Sequence, residues 1–160
     1  MAPYDSKKRT VQNVLFVCHH NSARSQMAEA FLNDRYGEYF QAFSAGTEPS
    51  AELDPRAVEV MREVGLDISN KTPKSVDEFI RAGTRFEYVV TTCYEAKRHC
   101  PYIPAPEQVH ARFDDPRTFE GNDEEQLEQM RRLRDQISEW VDRFFGPRAS
   151  LQELEEQPVR

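Results

Sequence analysis

The amino-acid sequence predicts one compact α/β domain built on a mainly parallel sheet flanked by helices. Three observations lead there. The chain has 160 residues, enough to bury a single substantial core. Apolar residues make up 38% of it, the composition of a folded chain rather than a disordered one. Short apolar, β-rich runs alternate with helix-periodic stretches, the order that builds a parallel sheet.

Taken in order, residues Asn13 to Val17 are a continuous apolar run and read as a buried strand. From Ser25 to about Tyr36 the pattern turns helical, with Met27, Ala30 and Phe31 at inward spacing. Tyr39 to Ser44 predicts a second strand, closed by Ala45-Gly46. The next helix has Asp54 as N-cap, Pro55 in the first turn, Ala57, Val58, Met61 and Val64 on one face, and Gly65 to end it. Ser75 and Glu78 have capping-box spacing and open a short helix that Gly83 closes. Phe86 to Thr92 is a further buried strand, and the proline-containing stretch from Cys93 to Pro106 reads as irregular or partly helical. Gln108 to Phe113 predicts the last strand. Asn122 and Glu125 cap a long final helix with an apolar stripe of Leu127, Met130, Leu133, Ile137, Trp140, Val141 and Phe144, and Gly146-Pro147 is expected to stop it. The organisation is therefore an N-terminal extension over 1–11, the domain over 12–146, and a polar C-terminal tail over 147–160.

The formal net charge is −7, which argues against nucleic acid or an anionic membrane surface as partner. Any attraction for an oxyanion must come from a local site. Lys7, Lys8 and Arg9 precede Val14 to Val17, but that apolar stretch is too short for a signal-peptide core or a membrane span, so a cytoplasmic location is expected. The three cysteines make an odd count and do not suggest an extracellular disulfide framework; chemistry, metal binding or burial remain. Cys18 and Cys93 each follow a buried strand, and in parallel sheets ligands sit beyond the carboxyl ends of strands.

The segment Cys18-His19-His20-Asn21-Ser22-Ala23-Arg24-Ser25 holds a cysteine, five residues, an arginine and a serine between a strand and a helix. Such a loop directs backbone N–H groups inward, and the helix start adds partial positive charge. That field favours a nucleophilic thiolate. Arg24 supplies a planar donor fork suited to a tetrahedral oxyanion, and Ser25 is placed to hydrogen-bond the sulfur. The glycines and terminal Gly-Lys-Ser/Thr of a Walker loop are missing. His19 and His20, inside the loop, are read as structural, and His110 as a surface or strand residue. Cys93 and Cys100, separated by six residues that include Lys97, Arg98 and His99, form a second thiol pair in a setting that favours thiolate. A zinc site from Cys93, His99 and Cys100 is disfavoured, because two thiols at this spacing are not a usual zinc knuckle. No metal and no cofactor are expected.

The run Val14-Leu15-Phe16-Val17-Cys18-His19-His20-Asn21-Ser22-Ala23-Arg24-Ser25-Gln26-Met27-Ala28-Glu29-Ala30 closely resembles the low-molecular-weight protein tyrosine phosphatase superfamily. Ser44-Ala45-Gly46 matches the same pattern, and Gln26-Met27-Ala28-Glu29 looks more like its thioredoxin-coupled arsenate reductase branch. The resemblance, with gaps, reaches about Phe145 and implies a four-stranded parallel sheet. It also implies an oxyanion site formed by His19 to Ser25, Cys18 as nucleophile, Arg24 as oxyanion clamp, and Asp115 of Phe113-Asp114-Asp115-Pro116 as the acid, with Asp114 in a supporting role. Cys93 and Cys100, followed by Pro101, match the branch's redox pair, which implies oxidation passing from Cys18 to Cys93 to Cys100, with arsenate as substrate and thioredoxin as reductant. A phosphatase using Cys18, Arg24 and Asp115 on phosphomonoesters is the alternative; a redox-responsive binding protein ranks third, because it has no use for the acid. The best-known members of the branch hold a potassium ion beside the loop. The matching positions here include Asn21, Glu29 and Ser44, but the fourth is Lys74, so independence from potassium is expected, with Lys74 in its place.

Overall fold

The computed structural model describes residues 10–156. Residues 1–9, and with them Lys7, Lys8 and Arg9, lie outside the described part of the expected extension. In chain order the elements are β1 (Gln12–Cys18), α1 (Arg24–Tyr36), β2 (Phe40–Gly46), α2 (Pro55–Glu63), α3 (Val76–Ala82), β3 (Tyr88–Thr91), α4 (Tyr94–His99), β4 (Glu107–His110), a 3-10 turn (Pro116–Thr118) and α5 (Asp123–Glu156).

The strands form one sheet in the order β2-β1-β3-β4, every neighbouring pair parallel. The central strand β1 is apolar on both sides because both sides are covered. Val14 and Phe16 face a core shared with α1, α2 and α5, whereas Leu15 and Val17 face a smaller one shared with α3 and α4. The helix signals act where the sequence places them. Asp54 accepts from the Arg56 N–H at 3.0 Å ahead of Pro55, and Ser75 accepts from the Asp77 N–H at 3.2 Å. Asn122 and Glu125 bond each other's backbone N–H groups reciprocally. Gly83 closes α3 in the left-handed conformation, at φ 65°.

Tertiary context overrides several local readings. Val64, expected inward, is 45% exposed, because α2 ends at Glu63 and Val60 takes the buried position. The ladder of β3 begins at Tyr88, and Phe86 instead fills the smaller core. The last strand lies at Glu107–His110 rather than at 108–113.

The largest correction concerns the C-terminus. Gly146-Pro147 does not stop α5, and the stretch from 147, expected as a polar tail, is helical through Glu156. A proline inside a helix costs about 3 kcal/mol, and side chains beyond it anchor the helix to the rest of the fold. Ala149 is buried. The Arg148 guanidinium lies 3.7 Å from the centre of the Phe144 ring and 3.6 Å from Glu107, and Gln152 bonds Gln12 at 3.0 Å. Tyr39 donates to Glu153.

Candidate active site

The site lies where β1 and β3 end side by side. Thr92 is fully buried and ties the strand ends together, its N–H and hydroxyl both donating to the Val17 carbonyl at 2.8 and 3.0 Å. Cys18 therefore emerges beside Cys93, and both are 1% exposed.

The 18–25 loop is shaped from outside. The carbonyls of Cys18, His19, His20 and Ser22 accept from the N–H groups of Thr47, Glu48, Ser50 and Asp54 at 2.8–3.1 Å. In a trans peptide the C=O and N–H point in opposite directions, so drawing these carbonyls outward turns the following N–H groups inward. Gly46 allows the close approach this needs: a Cβ there would stand 2.8 Å from the His19 carbonyl oxygen and 3.0 Å from the Asn21 nitrogen. This is the steric content of Ser44-Ala45-Gly46, and residue pattern alone did not reveal it. Helix α1 begins without a side-chain cap at Ala23, so no capping side chain competes with an anion for its first N–H groups.

Donors converge on the Cys18 sulfur. The Asn21 N–H lies 3.1 Å from the Cys18 sulfur, and the Ser25 hydroxyl 2.9 Å from it. Because Asn21 Nδ2 donates to Ser25 Oγ at 2.7 Å, the Ser25 hydrogen is free to point at sulfur. Asn21 holds φ 53°, a left-handed conformation asparagine tolerates better than most residues. Its Oδ1 accepts from Gln26 Nε2 and the Lys74 N–H at 3.0 and 2.9 Å. Gln26, fully buried and noted in the sequence only as part of the branch-like run Gln26 to Glu29, thus braces the loop from below.

Arg24 is 4% exposed; its guanidinium donates to the Phe113 carbonyl at 3.4 Å and reaches Asp115 at 3.8 Å. Burial pushes the Asp115 carboxyl up, but the Arg117 N–H, the Arg24 and Arg117 guanidiniums and His20 outweigh it and hold it below its ordinary range. With Arg24 as its partner Asp115 is a carboxylate, whereas the acid role that the resemblance implies needs like-charge repulsion from a bound oxyanion to keep it protonated. An oxyanion seated on Arg24 supplies that repulsion and withdraws the stabilising cation, and both effects raise the carboxyl. Arg56, a residue absent from the sequence reading, fixes this turn by donating to the Pro116 carbonyl at 3.1 Å. Asp114 is exposed.

Cys93 caps α4, its sulfur accepting from the Ala96 N–H at 3.3 Å. Burial raises its thiol, opposed by the Ala96 N–H, the Arg24 charge and the His19 N–H, while Cys18 adds to the rise. Cys93 thus lies within electrostatic reach of both Cys18 and Arg24. Cys100, half-buried at the far end of α4, is pushed up from 9.0 to about 11 by burial and by Cys93, so burial overrides the thiolate-favouring setting expected from Lys97, Arg98 and His99. His110 is exposed on β4, with Nδ1 2.8 Å from Thr91 Oγ1.

Beside the loop, the buried Glu29 accepts from Ser44 Oγ at 3.2 Å, and its Oε2 lies 3.8 Å from Lys71 Nζ. Lys74 Nζ bonds the Thr72 carbonyl at 3.2 Å instead, so Lys71 rather than Lys74 makes the ion pair with Glu29. With both lysine charges acting on this carboxylate, exchanging potassium for sodium at constant ionic strength is expected to leave turnover unchanged; steady-state rates in the two salts check it. A cavity of about 1150 Å³ lies at the opposite, amino-terminal edge of the sheet between Asn13, Phe79, Phe86 and Ile103, and no candidate site residue lines it.

A parallel β2-β1-β3-β4 sheet with a cysteine–arginine loop leading into α1 defines a class, and the chain belongs to it: residues 13–158 match the low molecular weight phosphotyrosine protein phosphatase family. Within that family the similarity runs toward reductases. An arsenate reductase of Halalkalibacterium halodurans is 39% identical over 132 residues, covering 82% of this chain and 93% of that protein. The crystal structure of an arsenate reductase from Archaeoglobus fulgidus superposes with a TM-score of 0.66 at 31% identity, covering 83% of this chain and 98% of that one. A thioredoxin-dependent arsenate reductase of Corynebacterium glutamicum has a TM-score of 0.56 at 30% identity, covering 82% of this chain and 62% of the other.

Proposed function

We propose that this family member is a cytoplasmic arsenate reductase working through three thiols and regenerated by thioredoxin. The observation that carries the reading is the buried Cys93 beside Cys18. A phosphatase hydrolyses its cysteinyl intermediate with water and has no use for a thiol there.

Arsenate settles on the loop N–H groups and Arg24. Cys18 attacks arsenic as Asp115 protonates the departing oxygen, and water leaves. Cys93 then attacks the Cys18 sulfur; the S–As electron pair stays with arsenic, arsenite departs, and a Cys18–Cys93 disulfide remains. Cys100 attacks Cys93, Cys18 is released as a thiol, and the Cys93–Cys100 disulfide passes to an external dithiol, for which thioredoxin fits the reductase relatives.

The last internal step requires motion. Cys93 and Cys100 bracket α4, so their Cα atoms stand roughly 10 Å apart along a helix rising 1.5 Å per residue, whereas a disulfide needs about 4.4–6.8 Å. The helix must therefore unwind. It is suited to that: of its six residues only Ala96 is buried, and Pro101 follows closely. The raised Cys100 thiol sets the sign of the pH effect. The folded segment holds the Cys100 proton more tightly than an open one, so its stability is full below pH 9 and is lost as pH climbs toward about 11. Alkylation of Cys100 by iodoacetamide is expected to rise about tenfold per pH unit across neutral pH, without levelling near the ordinary thiol value; peptide mass spectrometry reads it.

The function itself is tested by NADPH consumption with arsenate, thioredoxin and thioredoxin reductase. The parent consumes NADPH in response to arsenate, and Cys93→Ser and Cys100→Ser abolish repeated turnover. Cleavage of a phosphomonoester surviving in both variants, with no arsenate response in the parent, would overturn the reading in favour of a phosphatase.

A further inference from the structure

The turn that carries Asp115 is gripped from outside by the guanidiniums of Arg24 and Arg56. On the inner side Arg24 donates to the Phe113 carbonyl at 3.4 Å and lies 3.8 Å from the Asp115 carboxylate. On the outer side Arg56 donates to the Pro116 carbonyl at 3.1 Å. The two grips fare differently when the site fills. A tetrahedral oxyanion in the loop takes the Arg24 donors, so the inner grip is given up as the reaction begins. The outer grip stays, because the Arg56 donors are committed elsewhere.

Those commitments hold Arg56 itself in place. Its Nε and Nη2 donate to the two Asp54 carboxylate oxygens at 3.0 and 2.6 Å, a fork matched to a carboxylate, and Nη1 donates to Gln126 Oε1 of α5 at 3.2 Å. The guanidinium also lies over the Phe119 ring, 5.7 Å from its centre. Asp54 is joined in turn to the oxyanion loop, its N–H donating to the Ser22 carbonyl at 2.9 Å. A chain of direct hydrogen bonds therefore runs from the loop peptide through Asp54 and Arg56 to the residue after the acid. A pair that served only to start α2 would end at the cap. Here the same Nη2 that binds Asp54 goes on to the acid turn.

We propose that Arg56 is a positioning residue for the acid, setting the distance between Asp115 and the loop once the oxyanion has drawn Arg24 away. The proposal rests on the reaction above, in which Asp115 protonates the departing oxygen. Arg56 exchanges no proton and touches no reacting atom; it holds the carboxyl beside an oxygen that leaves opposite the Cys18 sulfur. A displacement of about 1 Å at such a point costs about a hundredfold in rate. Oxyanion binding does not depend on the guanidinium. The Asp54 carbonyl accepts from the Ala57 and Val58 N–H groups at 3.0 and 3.2 Å, and its side chain accepts from the Arg56 backbone N–H at 3.0 Å. These bonds survive replacement of the Arg56 side chain, and with them the contact to Ser22.

The test measures single-turnover arsenate reduction and calorimetric binding of inorganic phosphate in the parent, Arg56→Met and Arg56→Lys. Methionine keeps the apolar stem and removes every side-chain donor. Lysine keeps the charge beside Asp54 but has no planar fork to span Asp54 and Pro116 together. Arg56→Met is expected to lose about a hundredfold in rate and Arg56→Lys about tenfold, while phosphate affinity stays within about threefold of the parent's. Asp115→Asn combined with Arg56→Met is no slower than Asp115→Asn alone, because the position of an absent acid costs nothing. Unchanged rates in both variants, affinity falling in step with rate, or losses that multiply in the double variant overturn the proposal. If Arg56→Met does not fold, Arg56→Lys decides by the same criteria. Should the parent fail to reduce arsenate, the reductase reading falls by itself, and cleavage of two esters then decides Arg56. Phenyl phosphate needs the acid and dinitrophenyl phosphate does not. A loss confined to phenyl phosphate upholds the role of Arg56, and equal losses or none overturn it.

Discussion

Replacing Cys18 with serine is expected to remove arsenate reduction and phosphomonoester cleavage together, by about four orders of magnitude or more. Both reactions begin with attack by the same sulfur, and a serine hydroxyl in its place has no base beside it. The side chain hydrogen-bonded to that sulfur is another hydroxyl, Ser25, at 2.9 Å. The loop itself survives the change, because its carbonyls are held by Thr47, Glu48, Ser50 and Asp54 and the Asn21 side chain by Gln26 and Lys74, and a serine oxygen can accept from the Asn21 N–H as the sulfur does. Phosphate affinity of Cys18→Ser, measured by calorimetry, is therefore expected to stay near the parent's while turnover vanishes. Loss of binding and turnover together would make Cys18 a structural residue and remove the basis of the relay.

Phe145→Ala is expected to destabilise the fold by about 3–5 kcal/mol, lowering the melting midpoint by roughly 10 °C for a domain of this size. Phe145 is fully buried, and its ring meets those of Phe16, Phe40, Tyr88, Trp140 and Phe144 at centroid distances of 4.8–6.1 Å, all inclined edge to face. It is the point where α5 locks onto β1, β2 and β3. Its neighbour Phe144, the residue expected in the apolar stripe, stacks on Trp140 and is only partly buried. Phe144→Ala should therefore cost less than Phe145→Ala. Equal losses in urea titration would mean that the C-terminal half of α5 is not docked as described.

These two residues mark how far the sequence carries. Cys18 was legible because a strand, a loop with spaced cysteine and arginine, and a helix start are neighbours in the chain, and local sterics force them into one shape. The caps at Asp54, Ser75 and Asn122 were legible for the same reason, each satisfying N–H groups two or three residues away. Phe145 was missed because Gly146-Pro147 is a strong local stop signal, and only contacts with Gln12, Tyr39, Tyr88 and Glu107 outweigh it.

The site divides along the same line. Residue order singled out Cys18, Arg24, Cys93 and Cys100 and placed the first two in one loop, and the family resemblance added Asp115. Long-range packing decided the rest. It turned the loop carbonyls outward against the chain after β2, made Gly46 the residue that permits the approach, put Gln26 beneath Asn21, and paired Lys71 rather than Lys74 with Glu29. It also left Nε2 of His20 buried without a partner among the described residues. Propensity, capping and motif spacing act over a few bonds, so they are written in neighbouring residues. Burial and the direction of a hydrogen bond depend on segments tens of residues apart, and they exist only once the chain has closed on itself.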